Sequence, residues 1–275
     1  MRCAVLGDPI DHSLSPAIHR AAYRALGLDG WSYDPVRVHS GGLAAFLDGL
    51  DPTQWRGLSL TAPLKREVVP MLSSYDEWVA ATGGCNTVLL EPDGGRHGLN
   101  TDVTGALMVL GEYDGPLDRA VVLGGGATAT SLLLALAERG MSQATLVVRD
   151  PARATETVQA VAAHRSAPRA EVVELAGITE LTGDVVVSTV PATAQVTKLI
   201  DAVADIPLVF EVVYSPWPTP LAAAAAASGR TVFNGLDLLV AQAVNQVVAM
   251  TGRYDVPAGA MRRAAEEELA AREVR

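Results

Sequence analysis

The chain has 275 residues, 49% of them hydrophobic and 19% charged, enough for one large or two modest domains with real cores. Its 21 Lys and Arg against 31 Asp and Glu leave a net charge of -10, which argues against nucleic acid or an anionic membrane as partner. Two cysteines, Cys3 and Cys85, without paired metal spacing imply neither a disulfide framework nor a metal site. No run reaches the length of a membrane span. The N-terminus enters a strand at once, so no signal peptide is expected, and the chain reads as soluble and cytoplasmic.

In chain order, Arg2–Leu6 is a predicted strand. A turn at Gly7-Asp8-Pro9-Ile10 leads to a helix that starts at Pro16, with Ser15 as N-cap, and stops at Gly27. Trp31–Val38 reads as a strand, Gly42–Leu50 as a short helix and Gly57–Leu60 as a third strand. Helical pieces are expected over Lys65–Leu72 and Tyr75–Ala81. Asn86–Leu90 and Arg96–Leu99 form two strands around a Pro92–Gly95 turn. Asp102 opens a helix over Val103–Gly111. Strands then fall at Ala120–Leu123, Thr145–Val148, Glu171–Glu174, Asp184–Ser188, Leu208–Val213 and Thr231–Phe233. Helices are expected at Thr130–Gly140, Ala152–Ala163 and Pro220–Ala227, and two close the chain, Gly235–Thr251 and Pro257–Arg272. Short apolar strands with helical crossovers imply a doubly wound parallel sheet in this second half.

The organising stretch is Ala120–Ala129, A-V-V-L-G-G-G-A-T-A. Gly124 and Gly126 with Ala129 give G-x-G-x-x-A after a strand and before a helix, a dinucleotide fingerprint. The first glycine permits the turn, and the second leaves room for a pyrophosphate. Ala129 lets the helix pack close. The helix N-terminus offers unpaired N–H groups to the phosphates.

Four other stretches carry polar residues that packing does not demand. Gly7–Ser15 places Ser13 and Ser15 two apart before a helix. Gly57–Lys65 ends a strand near Thr61 and presents Lys65 after Pro63. Gly83–Thr87 contains Asn86. Gly98–Asp102 ends in an aspartate that could equally be a helix cap. The five histidines show no ligand spacing, so no metal is expected.

Together these stretches resemble the shikimate dehydrogenases. The family's G-x-P-I-x-H-S-x-S-P is matched by Gly7–Pro16, and its N-V-T-x-P-x-K by Ser59–Lys65 except at Ser59 and Leu60. Its N-T and N-T-D are matched by Asn86-Thr87 and Asn100-Thr101-Asp102, and its Y-x-P-x-x-T-P-L by Tyr214–Leu221. Its glycine and downstream glutamine are matched by Gly235 and Gln242.

The resemblance implies an α/β fold of two domains. An N-terminal substrate domain, residues 1–101, would be completed by C-terminal helices from 235 to 275. Residues 102–234 would form a Rossmann-type dinucleotide-binding domain, with ligands held in a cleft between the two. It implies Lys65 and Asp102 as catalytic pair. Ser13, Ser15, Thr61, Lys65, Asn86, Asp102 and Gln242 would contact the substrate, and Tyr214 would reach it or merely pack. Gly124, Gly125, Gly126, Ala127, Arg149, Arg153, Thr189, Val213 and Gly235 would hold the cofactor. The implied reaction is the reversible reduction of 3-dehydroshikimate to shikimate by NADPH, in a monomer or homodimer.

At the end of the second predicted strand of that domain, Arg149 favours the extra phosphate of NADP, and Arg153 could share it at helical spacing. Asp150 beside them is what an NAD-binding site would use. The alternatives are therefore an NAD-linked quinate/shikimate or aminoshikimate dehydrogenase, or a catalytically silent NADP-binding regulator.

Overall fold

A computed structural model describes residues 1–273. The chain divides into two compact units, one of Met1–Gly105 with the segment from Leu239 onward, the other Ala106–Leu238. Both divisions fall inside helices, Thr101–Leu110 and Gly235–Thr251.

In the first unit, β1 (Arg2–Gly7) lies between β2 (Ser32–Arg37) and β3 (Trp55–Leu60), parallel to both. After β4 (Ser74–Tyr75) come β5 (Thr87–Leu90), antiparallel to β3, and β6 (Arg96–Leu99), antiparallel to β5. The sheet order is β2-β1-β3-β5-β6-β4. Leu6, Leu43, Leu47, Leu58, Leu64, Val68, Val79 and Val88 form a buried core on this sheet. The helix Gly235–Thr251 lies tight against β3: a Cβ on Gly57 would stand 2.8 Å from Met250 Cγ.

The second unit holds β7 (Arg119–Leu123), β8 (Gln143–Val148), β9 (Arg169–Glu174), β10 (Val185–Ser188), β11 (Leu208–Glu211) and β12 (Thr231–Phe233). Their order, β12-β11-β10-β7-β8-β9, is all parallel. β10 and β11 are buried along their whole length, as strands covered on both faces must be. The order reverses at β7, so the ends of β7 and β10 form the topological switch point where doubly wound sheets bind ligands.

Several local expectations are corrected. Ser15 does not cap its helix. It is the first residue of Ser15–Ala25, Leu14 stands at the cap, and Ser13 Oγ instead accepts the Ser15 N–H at 3.3 Å. The piece over Lys65–Leu72 is a four-residue helix, Leu64–Glu67, then a 3-10 turn, Val69–Met71. Tyr75 belongs to β4, and the next helix starts at Glu77 because Asp76 accepts the Val79 N–H. The Ala152–Ala163 helix is split into a 3-10 turn, Pro151–Ala154, and Thr155–Ala162. Arg149 therefore precedes the helical segment, and Arg149 and Arg153 do not share one helix face. The strand expected to run to Val213 ends at Glu211.

Among the described residues, no helix is long and apolar enough to cross a membrane. No group of three or more metal-ligating side chains occurs among them either.

Candidate functional site

Topology gathers four motifs at one edge of the first sheet. β3 and β6 flank β5 and run opposite to it, with Ser59, Thr87 and Leu99 in register. The chain leaving β3 at Thr61–Lys65, the chain entering β5 at Asn86 and the chain leaving β6 at Asn100–Asp102 thus meet at the same edge. β1 is parallel to β3, so the Gly7–Ser15 loop emerges there too. Gly7 sits too close to Thr61 for a side chain: a Cβ would stand 2.4 Å from Thr61 Cγ2. Thr61 is half-buried, with its backbone N–H on the Leu6 carbonyl at 2.9 Å.

Lys65 Nζ donates to Asp102 Oδ2 at 2.6 Å, with side-chain exposures of 16% and 8%. The Lys65 carbonyl accepts the Cys85 N–H at 2.7 Å, which anchors the lysine to the segment before β5. Asp102 stands near a helix start yet does not cap it. Asn100 Oδ1 accepts the backbone N–H of Asp102 at 3.1 Å and of Val103 at 3.4 Å. Asn100 Nδ2 is tied to Gly84 O at 2.8 Å and Thr82 Oγ1 at 2.9 Å. The Asp102 carboxylate is left for other partners: Asn86 Nδ2 donates to its Oδ1 at 2.8 Å.

Asn86 is itself saturated. Its second amide hydrogen goes to Gln242 Oε1 at 3.1 Å. Its oxygen accepts Thr101 N at 2.8 Å, Thr87 Oγ1 at 2.9 Å and Thr101 Oγ1 at 3.1 Å. A ligand could therefore engage Asn86 only by displacing one of these, and the longer bond to Gln242 is the readiest. Gln242 comes from the helix Gly235–Thr251, which approaches Thr101–Leu110 closely: a Cβ on Gly105 would stand 2.7 Å from the Gln242 backbone nitrogen.

Behind this group runs a buried chain of hydrogen bonds that sequence reasoning missed. Tyr33 Oη donates to Ser59 Oγ at 2.6 Å, Ser59 to Gln246 Oε1 at 3.0 Å, and Gln246 Nε2 to Thr87 Oγ1 at 3.0 Å. Thr87 then donates to Asn86. Every donor points the same way, from Tyr33 toward the carboxylate, an order in which neighbouring bonds polarise one another. Ser59, where the resembled motif has Asn, is 4% exposed and bonded on both sides. Gln242 and Gln246, four residues apart on one face of a largely apolar helix, are the available signal.

Beside the chain, His19 stacks on Tyr33 with ring centroids 3.9 Å apart, and its Nδ1 donates to the Ser15 carbonyl at 2.9 Å. Burial pushes the imidazolium down to about 4 and the Cys85 thiol up to about 12.

In the second unit, Gly124 has φ +112°, a left-handed conformation that disfavours any side chain. A Cβ there would stand 2.3 Å from Thr189 Oγ1, which donates to Leu123 O at 2.9 Å. Gly125 faces Ala154, 3.1 Å from where its Cβ would be. Gly126 is exposed, and a Cβ on it would meet nothing within 4 Å. It caps the helix Ala127–Glu138 without a side-chain hydrogen bond, so the N–H groups of the first turn are not taken by a cap. Ala129 is fully buried, as close packing requires. This cradle, open on one side and lined by uncapped donors, fits the pyrophosphate of a dinucleotide.

Arg149 and Arg153 are exposed near the end of β8. Asp150 Oδ1 accepts the Ala152 N–H at 3.0 Å, so part of that carboxylate serves the 3-10 turn. Val213 N–H is held by Glu211 Oε1 at 3.0 Å. Glu211 is fully buried, also accepts from Gln195 Nε2 at 2.6 Å and Thr219 Oγ1 at 3.0 Å, and burial raises its pKa. Gly235 leaves no room for a side chain, since its Cβ would stand 2.2 Å from Val212 O. Tyr214, half-buried, belongs to this second unit with Val213 and Gly235, while the other expected substrate contacts lie in the first.

The family model described as the shikimate dehydrogenase substrate binding domain matches residues 5–88. The shikimate dehydrogenase (NADP(+)) of Moorella thermoacetica is 34% identical over 280 residues, 98% of this chain and 93% of the relative. Among solved structures, a shikimate 5-dehydrogenase from Mycobacterium fortuitum superposes with a TM-score of 0.84 at 39% identity, covering 96% of this chain and 97% of that one. Quinate dehydrogenase from Corynebacterium glutamicum, in complex with NAD, superposes with a TM-score of 0.87 at 26% identity, covering 97% and 99%.

Proposed function

The chain belongs to the shikimate dehydrogenase family, and from that premise we propose that it catalyses the reversible NADPH-dependent reduction of 3-dehydroshikimate to shikimate. The observation that carries the site assignment is the Lys65–Asp102 pair at 2.6 Å, shielded from water and braced by Asn86.

The chemistry follows from charge. A bound nicotinamide supplies the hydride. The ketone oxygen then gains negative charge and requires a donor beside it. Lys65 carries three N–H donors. One is committed to Asp102, leaving two to meet the oxygen and pass it a proton; in the oxidation direction the lysine takes that proton back. Asp102 orients the ammonium and offsets the cost of shielding it from water. Ser13, Ser15, Thr61 and the Gln242 amide supply neutral donors and acceptors suited to a small polyol acid. An analogue lacking a hydroxyl would leave their polar atoms unpaired. Gly124–Gly126 and Ala127 would take the pyrophosphate, and Arg149 the 2′-phosphate with help from Arg153. Thr189, which touches Gly124 of that loop, would complete the cofactor site with Val213 and Gly235.

The second reading is an NAD-linked enzyme acting on quinate, favoured by Asp150 and by the likeness to a quinate dehydrogenase. Initial rates with shikimate and quinate, each with NADP and NAD, separate the two. The highest kcat/KM is expected for shikimate with NADP; a preference for quinate with NAD reverses the assignment.

A further inference from the structure

Thr157 lies in none of the motifs. It sits in the helix Thr155–Ala162, fully buried. Its Oγ1 donates to the Gly125 carbonyl at 2.9 Å and lies 2.7 Å from Thr130 Oγ1. A carbonyl only accepts, so the Thr157 proton belongs to Gly125. Thr130, also fully buried, then donates to the Thr157 oxygen, with the Gly126 carbonyl a longer alternative at 3.2 Å. Two hydroxyls thus fasten the glycine loop from below.

The consequence follows from the planarity of the peptide. The Gly125–Gly126 bond is not among the cis peptides, and a trans unit points its C=O and its N–H in opposite directions. Holding the Gly125 carbonyl inward turns the Gly126 N–H outward. Gly126 is the exposed member of the loop, with open space around it. We propose that Thr157 is a positioning residue for the cofactor: by gripping the Gly125 carbonyl it aims the Gly126 N–H at the pyrophosphate. The inference rests on reading the glycine loop as the dinucleotide site.

The pyrophosphate is common to NADPH and NADH, which predicts a distinctive pattern. Losing the hydroxyl should weaken both cofactors by the same factor, whereas losing Arg149 should weaken NADPH more than NADH. The experiment titrates the purified full-length protein with NADPH and with NADH, following nicotinamide fluorescence, for wild type, Thr157→Val, Thr157→Ser and Thr157→Ala.

Thr157→Val keeps the volume and strands the carbonyl, and both dissociation constants are expected to rise roughly tenfold. Thr157→Ser keeps the hydroxyl and should stay within about twofold of wild type on the same reasoning. Thr157→Ala is the second variant should the valine form not fold, since the space it leaves admits a water to the carbonyl. Its expected loss lies between those of valine and serine.

Wild-type affinity in a folded Thr157→Val protein overturns the proposal. So does equal loss in the valine and serine variants, which would assign the effect to packing. Failure of wild type to bind either nucleotide overturns the underlying reading of the loop.

Discussion

Asn100 Oδ1 accepts the backbone N–H of Asp102, and in doing so releases the Asp102 carboxylate from the capping duty that its position invites. The freed carboxylate turns to Lys65 Nζ instead. Asn100→Ala is expected to lower stability by about 1–2 kcal/mol through the lost cap and to lower kcat as well, because Asp102 becomes the nearest substitute cap. Urea unfolding and steady-state rates measure the two effects. A loss of stability with unchanged kcat would confine Asn100 to a structural role.

Lys65→Ala should reduce kcat by about three orders of magnitude or more, since it removes both the proton donor and the fixed charge. NADPH affinity should remain that of wild type, because the glycine loop lies in the other compact unit. Fluorescence titration beside turnover assays tests both halves, and near-normal turnover would reject the assigned role.

Arg149→Ala should weaken NADP more than NAD, since only the former carries the 2′-phosphate. Asp150→Ala should change NADP affinity little and loosen the turn that its Oδ1 holds. Equal loss of both cofactors in Arg149→Ala would undo the charge argument.

Gln246→Leu should destabilise the protein by about 1–3 kcal/mol, because the Ser59 hydroxyl loses its acceptor inside the core. Ser59→Ala should cost a similar amount, about 1–3 kcal/mol, since it strands the buried Tyr33 hydroxyl and leaves Gln246 Oε1 without its donor. If the two costs simply add in the double variant, the hydrogen bond between them contributes nothing. Denaturant titration of the four proteins measures it.

Stability should fall in acid through His19. Its folded pKa is about 4, against about 6.5 when unfolded. Above pH 6.5 neither state binds the proton and there is no penalty. As pH falls from about 6.5 to about 4 the unfolded chain takes up a proton that the folded protein refuses, and up to about 3 kcal/mol is lost. In His19→Gln the slope of stability against pH in that window should be shallower than in wild type.

Much of this architecture is legible in the residues. Strand–glycine–helix at Ala120–Ala129 announces itself, and the order of short apolar strands yields the parallel sheet. Polar residues without a packing reason, Lys65 and Asn86 among them, mark the sheet edge where they converge. Other features depend on partners remote in sequence. Ser15 is a residue type that caps helices, but here it is buried inside the first turn and Leu14 takes the cap position. Gln246 reads as a surface residue until its helix is packed against β3, which is when it finds Ser59 and Thr87. The helix Thr197–Ala202 gives little signal in the residues, because it is short and no side chain caps its start. Thr157 cannot be found without knowing which carbonyl its helix passes.

Gly105 carries a different kind of constraint. With its Cβ 2.7 Å from a backbone nitrogen, even a methyl there would act as a wedge between two helices and lift Gln242 off Asn86. The fine adjustment of the polar cluster therefore depends on an atom that is missing, at a position with no chemistry of its own.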